Sequence, residues 1–138
     1  MGKRILIVDD ESDFVRLLQY RLNAAGYEVE FATRGMEALN KARLAAPDLI
    51  VLDLMLPDLD GLTVCEILRR QPSTRATPVI MVTAADSAVT RFAMETAGAR
   101  LILNKPLDLA RFESAVESLV SGKRDAAAYT DDHEPVRG

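Results

Sequence analysis

A doubly wound α/β sandwich, a five-stranded parallel sheet covered by helices on both faces, is the architecture this sequence predicts. Three observations predict it. Four short apolar runs lack polar alternation, amphipathic stretches separate them, and Gly or Pro punctuates most of the joins. An uninterrupted apolar run is a strand buried on both sides, which is the condition of a parallel strand beneath helices.

Ile5–Val8 is the first such run, and Ser12 then stands where it can cap a first helix. That helix carries an inner stripe of Phe14, Leu17, Leu18 and Leu22 and ends at Gly26. Tyr27–Ala32 alternates, with Val29 and Phe31 between Glu28 and Glu30, and reads as a half-exposed edge strand. Ala38, Leu39, Ala42 and Ala46 stripe a second helix that stops before Pro47. Leu49–Leu52 is the next buried strand. Gly61 then precedes a third helix with Leu62, Cys65 and Leu68, bounded by Pro72. Val79–Val82 is followed by a fourth helix striped by Val89, Phe92, Ala93 and Ala97 and closed by Gly98. Leu101–Leu103 leads to a fifth with Leu109, Phe112, Val116 and Leu119, fading at Gly122. Residues 122–138 are charged and poor in apolar side chains, and are expected to form a tail.

The 138 residues suit one domain, and 17 Lys and Arg against 21 Asp and Glu leave a formal charge of −4. An acidic surface with no basic aromatic stripe argues against direct nucleic-acid binding. One cysteine, Cys65, excludes an internal disulfide and a thiolate metal cage, and its expected place is the core. The one histidine, His133, lies in the tail, which leaves no internal imidazole for catalysis. No apolar run approaches the roughly 20 residues that span a bilayer. The start of the chain is too short for a signal-peptide core, so the expectation is a cytoplasmic protein that does not enter the membrane.

Ligands of such sheets bind beyond the carboxyl ends of the strands. There the first run ends in Asp9-Asp10 followed by Glu11, the third in Asp53, the fourth in Thr83, and the fifth in Asn104-Lys105-Pro106. Carboxylates crowded at one rim resist ionisation, and a hard divalent cation, Mg2+ or Mn2+, relieves the repulsion. A lysine and a hydroxyl beside it can hold a tetrahedral anion, and Asp53 is then placed as a carboxylate nucleophile for phosphoryl transfer.

These residues resemble those of receiver domains of bacterial two-component response regulators, small flavodoxin-like phosphorylation switches. The resemblance is carried by Ile5-Leu-Ile-Val-Asp-Asp-Glu11, Asp53-Leu-Met-Leu-Pro57 with Gly61, Val82-Thr83-Ala84, and Lys105-Pro106. It runs from residue 4 to about 120, and sets the expected division into a receiver domain over 1–121 and a tail or linker over 122–138. It implies a (βα)5 fold with strand order 2-1-3-4-5. It also implies that Asp53 accepts phosphate as an acyl phosphate, and that Asp10, helped by Asp9, holds Mg2+ together with Asp53 and the Met55 backbone carbonyl. Lys105 would contact the phosphoryl oxygens, Thr83 would move toward them, and Ala84 would be small enough to admit them. A cis peptide between Lys105 and Pro106 is implied as well. The implied partners are a histidine kinase or histidine phosphotransfer protein and a downstream protein target. A second copy of the chain could dock on the face formed by the fourth helix, fifth strand and fifth helix.

Two departures have consequences. The family's usual switch aromatic, three residues before the lysine, is Ile102 here, so signalling is expected to rely on helix or loop displacement. Met55 and Ala85, flanking the pocket, cannot hydrogen-bond an attacking water, so slow self-dephosphorylation is expected.

Asp58-Leu-Asp-Gly61 superficially looks like a calcium loop, but an EF-hand would need ligands where Leu56 and Ile67 stand. Asp58 and Asp60 are therefore read as loop residues, and no nucleotide-binding glycine loop is present. The rival function is a Mg2+-dependent phosphatase-like hydrolase using Asp53 as nucleophile. It lacks a general acid for the leaving group.

Overall fold

Strands and helices alternate along the chain as β1 (Arg4–Val8), α1 (Ser12–Ala24), β2 (Glu28–Ala32), α2 (Gly35–Ala45), β3 (Leu49–Leu52), α3 (Gly61–Arg70), β4 (Val79–Thr83), α4 (Ala88–Thr96), β5 (Leu101–Asn104) and α5 (Leu109–Val120). The computed structural model describes residues 2–85 and 87–122; the expected tail from 123 onward, with His133, lies outside the described residues. All strand pairs are parallel, in the order β2-β1-β3-β4-β5. Each apolar run is a strand within one residue of its expected bounds.

The period of two along each strand divides the core in two. Leu6, Val8, Ile50, Leu52, Val79, Met81 and Ile102 point to one face and pack against α2, α3 and α4. Ile5, Ile7, Leu49, Val51, Ile80, Val82, Leu101 and Leu103 point to the other, against α1 and α5. Cys65 is a fully buried thiol whose Sγ lies 3.3 Å from the Ala97 carbonyl, and burial raises its pKa. Such a thiol is inert, in agreement with a packing role. Among the described residues no helix is long and apolar enough to cross a membrane.

Several local expectations are corrected. The N-cap of α1 is Glu11 rather than Ser12, and no side chain caps that end. Its buried stripe is Val15, Leu18 and Leu22, while Phe14 is half-buried and Leu17 is exposed. Four apolar side chains between positions 14 and 18 fit two helical phases, and packing against β1 and α5 selects the second. Ala46 is not part of the α2 stripe: it is exposed and takes φ 49° as the cap before Pro47. Gly61 begins α3 instead of preceding it.

The largest correction is α4. Val89 and Phe92 are 80% and 69% exposed, and Arg91 and Met94 face inward in their place. The phase turns because Arg91 has an acceptor inside: its Nη1 donates to Asn104 Oδ1 on β5 at 3.2 Å, and the residue as a whole is buried.

Candidate functional site

Parallel register brings the four strand ends to one edge, and backbone bonds continue the ladder just past them. The Asp9 amide donates to the Ala32 carbonyl at 3.1 Å, Asp53 to Val8 at 2.9 Å, and Lys105 to Thr83 at 3.0 Å. Asp9, Asp53 and Lys105 are thereby fixed by the sheet itself, not by flexible loops. The Lys105–Pro106 peptide is cis, as the resemblance implied.

Asp9, Asp10 and Asp53 each offer a carboxylate oxygen, and these lie within 4.8 Å of one another. Asp9 and Asp53 are buried and Asp10 is exposed. Burial is the main cause that raises the Asp53 pKa, with the Asp9 charge adding to it. Lys105 and the Met55 and Leu54 amides oppose the shift. An all-oxygen set with an exposed member and repulsion only partly relieved fits a hard, partly hydrated divalent cation.

Lys105 carries the one ammonium that this rim receives among the described residues. Its Nζ lies 2.8 Å from Glu11 Oε1, 3.0 Å from Asp9 Oδ2 and 3.6 Å from Asp53 Oδ2. Burial works against its charge, but bonds to Glu11 and Asp9 and the Asp53 charge outweigh it, and the lysine pKa is raised. Thr83 is fully buried; its Oγ1 accepts from the Ala85 amide at 3.2 Å, which leaves the hydroxyl proton available to a ligand. Ala84 is exposed, Ala85 half-buried and Met55 68% exposed, so these apolar groups stand around the mouth.

Gly61 holds Asp53 in place through the absence of a side chain. A Cβ there would collide with the Asp53 carbonyl oxygen and lie 2.8 Å from Leu54 Cα, while the Gly61 amide donates to the Leu54 carbonyl at 2.7 Å. The acidic loop before it has structural work. Asp58 accepts from the Gly35 and Met36 amides at 2.7 and 3.0 Å, capping α2, and its pKa is pushed down to about 2 by the Met36 and Gly35 bonds. Asp60 caps α3 by accepting from Thr63 at 2.8 Å. Both carboxylates are engaged by backbone amides, in agreement with the loop reading.

Sequence reasoning missed two participants. Glu11 was merely the residue after an Asp pair, yet it makes the shortest contact to Lys105. Phe14 was assigned to the core stripe, whereas Lys105 Nζ sits 4.5 Å from its ring centroid. Both lie at the start of α1, and Lys105 reaches them from just past the end of β5. Ile102, in the expected place of an aromatic, is packed in the core and 2% exposed.

The sequence matches the family model described as "Response regulator receiver domain" over residues 5–117. It is 42% identical over 127 residues to the alkaline phosphatase synthesis transcriptional regulatory protein PhoP of Bacillus subtilis, covering 92% of this chain and 52% of that protein. Against the response regulator PleD of Caulobacter vibrioides it is 43% identical over 123 residues, covering 89% of this chain and 27% of that one. The chain thus spans about half or less of these relatives' length. Among solved structures, a putative response regulator from Chloroflexus aurantiacus superposes with a TM-score of 0.83 at 34% identity, covering 88% of this chain and 99% of that one. The chemotaxis response regulator CheY4 of Vibrio cholerae gives 0.81 at 30% identity, with coverage of 86% and 99%. With its flavodoxin-like strand order and its acidic rim, this chain belongs to the response regulator receiver domains, the phosphorylation switches of two-component signalling.

Proposed function

We propose that the chain accepts a phosphoryl group on Asp53 from the phosphohistidine of a histidine kinase or histidine phosphotransfer protein, and thereby changes its contacts with a downstream protein. The observation that carries this is the placement of Asp53: buried at the end of β3, within reach of two further carboxylates, and 3.6 Å from a lysine ammonium. An Asp53 oxygen bonds to phosphorus as the donor's nitrogen–phosphorus bond breaks and the imidazole leaves with the electron pair. Transfer of this kind needs mainly positioning and charge neutralisation. Asp10, Asp53 and the Met55 carbonyl, with Asp9 beside them, would hold Mg2+, or Mn2+ in its place, and when bound the ion would supply neutralising charge for the transferring oxygens. Lys105 supplies a second positive charge, Thr83 turns its hydroxyl proton to a phosphoryl oxygen, and exposed Ala84 leaves room for the group. Pro106 fixes the turn from which Lys105 projects.

On this reading the chain catalyses only its own phosphorylation and dephosphorylation, within a receiver of residues 1–121 followed by a tail, and it works in the cytoplasm without touching nucleic acid. Its output surface is the α4–β5–α5 face, for a protein target or a second copy, because Val89 and Phe92 stand exposed there. The hydrolase alternative draws no support from the site: a general acid must release its proton, and the Lys105 pKa is raised. Incubation with acetyl phosphate and Mg2+, followed by intact-mass measurement, separates the two. One phosphoryl group retained per chain supports the switch, whereas multiple turnover without retention supports the hydrolase.

A further inference from the structure

Lys105 is held by a residue that the phosphoryl-transfer chemistry does not itself require. Its ammonium is nearer to Glu11 (2.8 Å) and Asp9 (3.0 Å) than to Asp53 (3.6 Å), and it lies over the Phe14 ring at 4.5 Å. The Glu11 backbone amide also donates to Asp9 Oδ1 at 2.9 Å, so the two residues that grip the lysine are tied through the main chain of one and the side chain of the other. Glu11 and Phe14 both belong to the start of α1, which makes this a single docking place for the ammonium.

We propose that Glu11 is a positioning residue that holds Lys105 closer to itself than to Asp53, with Phe14 as the floor of the berth, so that phosphorylation is slowed by the need to break the Glu11–Lys105 pair. This rests on the reading of Asp53 as phosphoacceptor. A phosphoryl group on Asp53 offers the lysine a doubly charged partner, and the ammonium must give up Glu11 to reach it. The pair is half in water, because Glu11 is exposed, so its hold is that of a surface ion pair strengthened on one side by an aromatic ring. Releasing it should change rates by about three-fold rather than by orders of magnitude.

The test compares the wild-type chain with Glu11→Gln at saturating Mg2+, using acetyl phosphate as donor. A first readout needs no phosphorylation: the Lys105 side-chain ammonium in 15N-resolved spectra of the unphosphorylated chain. Glu11→Gln is expected to shift that signal and hasten its hydrogen exchange, and to raise the initial rate of Asp53 labelling about three-fold. In a Lys105→Met background, where labelling is slower, the same change should leave the rate where it was. An unaltered Lys105 signal overturns the proposal. So does an unchanged labelling rate alongside normal wild-type labelling, or a three-fold gain that persists without the lysine, since Glu11 would then act on the donor directly. A wild-type chain that takes no label overturns the phosphoacceptor reading and this inference with it.

Discussion

At the scale of single residues, the site is assembled by what is missing as much as by what is present. Gly61 lacks the Cβ that would strike the Asp53 carbonyl oxygen, so Gly61→Ala must displace the loop that carries the acceptor. We expect the Gly61→Ala variant to fold but to be phosphorylated by acetyl phosphate at least about ten-fold more slowly, since small misplacements of reacting groups cost that much or more. Pulse-labelling of both proteins checks it. Met55 and Ala85 offer no side-chain donor or acceptor to a water attacking the acyl phosphate. The phosphorylated form should therefore persist for minutes or longer after the donor is removed, and decay within seconds would contradict the role assigned to these positions. The principal acidic, hydroxylated and basic residues were legible from sequence because each follows an unbroken apolar run, and parallel strands deliver their ends to one edge. Glu11 and Phe14 were not, because their partner Lys105 is 94 and 91 positions away and nothing in local spacing encodes that contact.

At the scale of elements, α2 and α4 carry the clearest consequences. The α2 N-terminus is capped across space by Asp58, whose pKa of about 2 lies below that of an unfolded-chain aspartate, roughly 3.9. A depressed carboxylate contributes stability that is present above the unfolded pKa and is lost as pH falls through the folded one. Between about pH 4 and 2, urea midpoints of the wild type should therefore fall more steeply than those of Asp58→Asn, and parallel curves would show that the cap does not titrate as described. In helix α4 the expected stripe of Val89, Phe92, Ala93 and Ala97 competes with one built on Met94 and Ala97, and the second is the buried one. The deciding group is a buried arginine whose acceptor, Asn104, sits at the end of β5. Ile102, locked in the core, stands where an aromatic rotor would link Thr83 to this helix. Backbone spectra taken before and after beryllofluoride addition should then show shifts along α4 and the loop before it, whereas an unchanged α4–β5–α5 face would place the output elsewhere.

The whole molecule is two apolar layers on either side of one sheet, and it was largely legible from sequence. Uninterrupted strands require cover on both sides, and only alternating helices supply it. The layer under α1 and α5 centres on Phe112, which is fully buried among Leu18, Leu22 and strand residues. Phe112→Ala should cost about 3–5 kcal/mol of unfolding free energy, measured by urea denaturation, as expected for an emptied aromatic site. Such a loss is large against the 5–15 kcal/mol typical of small domains, so partial unfolding at 37 °C is the expected accompaniment.

On the proposed function, one buried carboxylate at the end of β3 takes the phosphoryl group. Transfer of label from a phosphorylated histidine donor to the wild-type chain and to Asp53→Asn, in the presence of Mg2+, tests it most directly. Stoichiometric labelling of the first and none of the second is the result predicted; equal labelling of both would contradict it.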